Sequence, residues 1–334
     1  MECMAEPILI AIIIIIALIF DFGNGMNDSA NSISTIVATK VMRPKMAAVM
    51  AAFFNFIGPF AFGVSVAATI AKGLVVPAAI NEFVILAGLV GTIAWVYMAT
   101  YYGIPISASH ALIGGFVGAA FAAGGSSSII FAGVATVILF IFLSPVLGMI
   151  AAYTLSLMLN WILKNSSPAR VDRNFRRLQI VSAAAYSLGH GTNDAQKTMG
   201  LIAALLFSTG MLGKDFYVPL WVIFISAFAI SLGTFIGGWR VVRTLGMRLT
   251  RLRPYQGFCA EAAGASMLFA TAHFGIPVST THTIAGGIMG VGLAKRRHAV
   301  RWGIARNILY AWLITIPFSA AVAMAFYYFI SLLM

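Results

Sequence analysis

The sequence predicts an all-α polytopic membrane protein made of two inverted-topology repeats, with broken helices and helical hairpins. Three observations lead there. Of 334 residues, 61% are hydrophobic and only 9% charged, with a mean hydropathy of +0.97, whereas a soluble domain carries about 25% charged residues. A set of short polar motifs occurs twice in the same order. The charge of the connecting loops reverses between the two copies.

Apolar runs at 7–20, 46–71 and 307–334 read as membrane segments. The N-terminus has neither a basic n-region nor a small-x-small cleavage site, so residues 7–20 read as mature structure. Cys3 and Cys259 are too few and too scattered for a disulfide framework or a metal site. The net charge of +12 does not point to nucleic acid, because 18 of the 21 Lys and Arg fall in four short patches, at 40–45, 164–177, 240–253 and 295–306. Patches pinned between spans record orientation, since basic residues concentrate in cytoplasmic loops.

The repeat is most visible in GIPISASHALIGGFVG (103–118) and GIPVSTTHTIAGGIMG (275–290), identical at eight of sixteen positions. His110, Gly114, Gly115, Gly118 and Pro145 recur 172 residues later as His282, Gly286, Gly287, Gly290 and Pro317. Upstream, GNGMNDSANS (23–32) matches GHGTNDAQKT (189–198) at an offset of 166. The expected organisation is a first repeat at 1–163, a basic cytoplasmic linker at 164–177 and a second repeat at 178–334. In the first half the loop after the Asn-Asp motif is basic and the next two hold only Lys72. In the second half the equivalent first loop holds only Lys214, and the next two hold five basic residues each. The halves are therefore expected to insert upside down relative to one another, with both termini outside.

Segments 7–20 and 27–39 are each too short to cross about 30 Å of hydrocarbon at 1.5 Å per residue. They are expected to cross once together, broken at 21–26, and 178–188 with 193–208 has the same form.

Asp21, Asp28, Asp194 and Glu261 are the acids within apolar stretches, and ionisable groups at such depth usually line a substrate or ion path. Asp28 and Asp194 occupy equivalent positions, each preceded by an Asn (Asn27, Asn193), and Asn24 and Asn31 flank the first copy. Such oxygen ligands suit Na⁺ or a relayed proton. With two symmetric copies beside a chain break, an ion-coupling site is favoured over simple helix capping. Gly23, Gly25, Gly189 and Gly191 are expected to let backbone carbonyls turn inward as further ligands.

Pro105 and Pro277 break the preceding helices, and Ser107 and Ser279 stand where N-caps belong. A helix starting there presents free amides, including that of Ala108, and the positive end of its dipole. Ser109, Thr280 and Thr281 add hydroxyls. Two such turns brought together by inversion would form a cradle for a tetrahedral oxyanion. Lys197 replaces Asn31 in the second copy; it either supplies a fixed positive charge for the anion or pairs with an intramembrane acid such as Glu261. His110 and His282 read as packing and hydrogen-bonding groups, with proton relay the alternative, and the role of His190 is open. Walker, HExxH and GxSxG motifs are absent from the sequence, which argues against an enzyme. No cofactor is expected beyond the coupling cation.

DFGNGMNDSANS, GHGTNDAQKTMG, GIPISASH and GIPVSTTH resemble, in order and over nearly the whole chain, the signatures of the inorganic phosphate transporter (PiT) family. The resemblance implies symport of inorganic phosphate with Na⁺ or H⁺ across the cell membrane by two inverted repeats, often as a homodimer. It implies that Asn27, Asp28, Asn193 and Asp194 serve the ion and substrate site, and that Ser107, Ser109, Ser279, Thr280 and Thr281 contact phosphate. The central linker is short, as in prokaryotic members. Some relatives carry sulfate, but carboxylates beside hydroxyls favour monohydrogen phosphate, which brings a proton donor that sulfate lacks. An anion channel of paired half-helices is the reading from another class.

Overall fold

The computed structural model describes residues 2–333; Met1 and Met334, the outer ends of the expected repeats, and the side chain of Cys3 lie outside the described residues. Among these residues are twelve α-helices and no strand. The first half holds α1 (Glu2–Ala38), α2 (Pro44–Ala61), α3 (Ser65–Lys72), α4 (Glu82–Tyr102), α5 (Ala108–Gly124) and α6 (Phe131–Ile162). The second holds α7 (Pro168–Ser208), α8 (Leu220–Ile236), α9 (Trp239–Arg243), α10 (Pro254–His273), α11 (Thr280–Lys295) and α12 (Trp302–Ser331). A π-helical segment, Thr244–Leu249, continues α9. Residues 168–177 of the expected linker form the first turns of α7.

Solvent preferences are turned inside out, as lipid requires. Ile8, Ile12, Ile15, Phe53, Phe142, Phe224 and Phe228 lie on the outer surface. Asp28, Asn55, Asp194, Lys197 and Glu261 are fully enclosed. Backbone amides are satisfied inside helices, the one secondary structure that crosses a bilayer without closing into a barrel. Six helices are long and apolar enough to cross a membrane, or seven passes if α8 and the segment Trp239–Leu249, bent by 62°, count as one. The chain is an integral membrane protein. α7 and α10 are less apolar because they carry polar side chains, α11 is only 16 residues long, and the other helices shield all three.

Either half runs in the same order of a long helix, a helix pair, a hairpin and a long helix, α1–α6 and α7–α12. Packing follows the same exchange of halves: α1 lies on α8 as α7 lies on α2, α1 on α4 as α7 on α10, and α5 on α12 as α11 on α6. Most of these contacts join one half to the other, so the halves interlock rather than forming two separate bodies.

The broken helices are found in the hairpins and at the α8–α9 bend. α4 ends at Gly103, φ +70°, and Ser107 caps α5; α10 is followed by Gly275, φ +66°, and Ser279 caps α11. A positive φ is the conformation glycine adopts without steric cost, and the extended residues after it carry Pro105 and Pro277. In each case the cap hydroxyl accepts the backbone N–H three residues on, at 3.2 Å, from His110 and His282.

At the Asn-Asp motifs the expectation of a break is corrected. α1 and α7 run without interruption through 21–26 and 189–193, so these carbonyls remain in the helix ladder and do not turn inward. The glycines serve close approach instead. A Cβ on Gly25 would stand 2.1 Å from the Ile230 carbonyl oxygen of α8, and one on Gly191 2.2 Å from the Asn55 carbonyl oxygen of α2. Gly191→Val therefore forces two packed backbones apart. It is expected to destabilise by about 1–3 kcal/mol or more and to lower the melting temperature in detergent. Gly303→Ala, with no heavy atom near its new Cβ, should not lower the melt. Equal melts for the two variants would contradict this packing role.

Candidate substrate and ion site

Helical periodicity places one polar stripe along each long helix. On α1, Asp21, Asn24, Asp28, Asn31 and Thr35 recur at intervals of three and four, and on α7 Gln179, Ser182, Tyr186, His190, Asn193 and Lys197 do the same. These stripes face each other and the N-termini of α5 and α11, with every one of these side chains buried.

At the centre, the hydroxyls that open α11 bridge the two carboxylates. Thr280 Oγ1 lies 2.9 Å from Asp194 Oδ2 and 3.3 Å from Asp28 Oδ2, and Thr281 Oγ1 donates to Asp28 Oδ1 at 3.0 Å. Asn31 Nδ2 donates to both hydroxyl oxygens, at 3.2 and 3.0 Å. That donation directs the hydroxyl protons onto the acids, because each hydroxyl has a single proton to give. The α11 dipole adds its positive end beside both carboxylates.

His190 stands between the acids, its Nε2 3.1 Å from Asp194 and 3.8 Å from Asp28. Its Nδ1 meets Asn55 Oδ1 at 3.1 Å, and Asn55 Nδ2 donates to Thr234 at 2.8 Å. The amide orientation thereby makes Asn55 the acceptor for Nδ1 and aims Nε2 at the acids. One ligand atom from each of Asp28, His190 and Asp194 falls within 4.8 Å of the others.

The acid beside Lys197 is not Glu261. Lys197 pairs with Asp194 on its own helix, donates to Ser109 of α5, and donates to the Val278 carbonyl at 2.9 Å. Its ammonium therefore touches both hydroxyl turns at once. Glu261 lies elsewhere: Thr35 and Ser182 donate to it, and Gln179 Nε2 donates at 3.0 Å. Thr35 is seven residues past Asp28, about two turns along α1.

Other expected residues are placed as follows. Asn27 Nδ2 donates to Thr100 at 2.9 Å, and Asn193 Nδ2 donates to the Gly189 and Leu268 carbonyls. Among the described residues, Oδ1 of Asn27 and of Asn193, both carboxylate oxygens of Asp21 and the amide atoms of Asn24 are buried without a protein partner. Ser107 and Ser279 cap their helices and keep a hydroxyl proton to donate. Ala108, the repeat partner of Thr280, offers only its backbone amide. His110 and His282 meet edge to face across the two halves, ring centroids 4.7 Å apart. Sequence reasoning missed Tyr186, whose hydroxyl donates to the Thr280 carbonyl at 2.8 Å, and the Thr35, Gln179 and Ser182 set around Glu261. Their signal was the helical stripe, read across Gly23–Gly25 and Gly189–Gly191 as if no break were there.

The sequence model of the phosphate transporter family matches residues 24–323. A probable low-affinity inorganic phosphate transporter of Rhizobium meliloti is 52% identical over 325 residues, covering 97% of each chain. One of Bacillus subtilis is 42% identical over 328 residues, covering 98% of each. Among solved structures, one described as the sodium-dependent phosphate transporter superposes with a TM-score of 0.87 at 27% identity, over 98% of this chain and 100% of that one.

Lys197→Met would leave Asp194 as a buried charge without its counter-ion. Removing one partner of such a pair costs about 3–5 kcal/mol, so the detergent melting temperature should drop sharply. The double variant Lys197→Met/Asp194→Asn should regain most of the loss. If the two single losses simply add in the double variant, the pair is not coupled as described.

Proposed function

Since the chain belongs to the phosphate transporter family, whose members are named as transporters and not enzymes, we propose that it is a secondary active symporter. It imports inorganic phosphate together with Na⁺, by alternating access around the buried cluster between its two halves. The observation that carries this reading is the pairing of anion donors with the protein's own carboxylates: Thr280 and Thr281 with Asp28 and Asp194, and Lys197 with Asp194.

That pairing gives a route to coupling. Hydroxyls committed to Asp28 and Asp194 are not available to an incoming anion, and two carboxylates repel it. A cation held by Asp28 and Asp194 would neutralise the acids. Thr280, Thr281, Ser109, the Lys197 ammonium and the amides opening α5 and α11 could then turn to phosphate. Cation and anion would each improve the other's site, the reciprocity that linkage demands. The P–OH of monohydrogen phosphate finds an acceptor in a carboxylate, whereas sulfate only accepts. The structural neighbour named for sodium dependence supports Na⁺ over H⁺.

The proposal places the chain in the cell membrane with both termini outside and 164–177 cytoplasmic, supported by the basic loops. It includes the repeat bounds 1–163 and 178–334, with Glu261 as a coupling acid, and a homodimer.

In liposomes with an imposed inward Na⁺ gradient, labelled phosphate should accumulate above equilibrium and excess sulfate should not suppress it. Asp28→Asn should reduce uptake to background while the protein is still expressed. Thr281→Ala should raise the phosphate KM about tenfold, as expected for a lost hydrogen bond to a charged group. Accumulation driven by H⁺ alone would replace the cation, suppression by sulfate would replace the substrate, and uptake that only equilibrates would indicate a channel.

A further inference from the structure

A groove of about 750 Å³ opens on the outer surface between α6, α11 and the N-terminal half of α12, within the range of roughly 300–1,000 Å³ typical of ligand pockets. It exists because α12 packs along α4 and α5 while α6 packs along α11, so α6 and α12 diverge. Met149, Met289 and Leu309 form its walls, Trp312 its floor, and Trp302 and Arg306 its rim. Trp302 and Arg306 are four residues apart, on one face of α12, and both are exposed.

Arg306 is the charged group on this lining, and α6, α11 and α12 together contain no Asp or Glu. An apolar trough with a cation at its mouth and no acid on its walls is complementary to an anion that carries a long apolar tail. The rim also departs from the internal repeat. At the 172-residue offset, Trp302, Arg306 and Trp312 correspond to Ile130, Val134 and Phe140. The cation and the two indoles thus occur in the copy next to the basic loop 295–301, which the charge pattern places on the cytoplasmic side.

We infer that this groove is a binding site for an anionic glycerophospholipid of the cytoplasmic leaflet. The headgroup phosphate pairs with Arg306, the Trp302 indole sits at headgroup depth, and one acyl chain runs along Leu309 and Met149 to Trp312. Trp and Arg are the side chains that anchor at such an interface. The floor gives the occupant a structural effect. Trp312 stacks on His282 with ring centroids 3.7 Å apart and donates its Nε1–H to the Pro105 carbonyl at 3.1 Å. The chain end therefore rests on a residue that holds a part of each hydroxyl turn.

Native mass spectrometry of the purified protein, titrated with dioleoyl phosphatidylglycerol or dioleoyl phosphatidylcholine, tests this. Phosphatidylglycerol should be retained where phosphatidylcholine is not, and should raise the melting temperature. Arg306→Gln should weaken that retention about fivefold, with Arg306→Lys close to the parent. Leu309→Trp, which fills the trough and keeps the cation, should abolish it. Because both positions are exposed, the lipid-free melts of the variants should match the parent. Equal retention of the two lipids, or undiminished retention by Leu309→Trp, would overturn the site. So would a disulfide between two copies through Leu309→Cys in a Cys3→Ser background, which would assign the groove to a protein interface.

Discussion

Two carboxylates held together in a membrane-buried interior set the terms for everything around them. Asp28 and Asp194 both approach His190 Nε2, and both are buried. An ion removed from water costs several kcal/mol even after relaxation. The protein meets that cost with a lysine on the next turn of α7 and with two hydroxyls and the N-terminus of α11. No one helix could do this. The acids come from α1 and α7, the hydroxyls from α11, the amide that orders them from α1, and the second anchor of the lysine from α5.

Much of the remaining architecture can be understood as the means of bringing these groups to one place. α1 and α7 must approach α8 and α2 at backbone distance, which the glycines of the Asn-Asp motifs allow. The hairpins must turn beside the acids, which a left-handed glycine, an extended proline segment and a serine cap accomplish at both copies. Once stopped, two helix N-termini converge, and His110 meets His282 where the repeats are related. The same sequence motif thus serves as a chain break, a cap and a donor set.

Composition, the paired motifs and the loop charges made the membrane class, the duplication and the hairpin turns legible in the sequence, because each rests on local chemistry that survives without knowledge of packing. The caps at Ser107 and Ser279 follow from residue type and the preceding proline. The continuity of α1 was not legible in the same way. Gly23 and Gly25 read as breakers, although the stripe from Asp21 to Thr35 keeps helical spacing across them. Glycine's permissiveness cannot say whether it is used for a turn or for contact, and only the neighbour decides. The partner of Lys197 was hidden for a related reason. Asp194 and Glu261 both lie within a chain's reach in principle, and it is the placement of Thr35, Gln179 and Ser182 that gives Glu261 its own company.

The interlocking of the halves bears on how the chain is made. Asp28 enters the bilayer early, yet Thr280 and Thr281, which accept the task of satisfying it, lie 252 and 253 residues later. At synthesis rates of 5–20 residues per second, the delay is on the order of ten to fifty seconds. Throughout that interval α6 also lacks α11, and α5 lacks α12. The nascent first half must therefore be held by the insertion machinery, or sit shallowly with its acid near water, until the second half arrives. Ribosome-bound intermediates would consequently be the most fragile form of this protein, and slow translation of the second half would prolong their exposure to quality-control proteases.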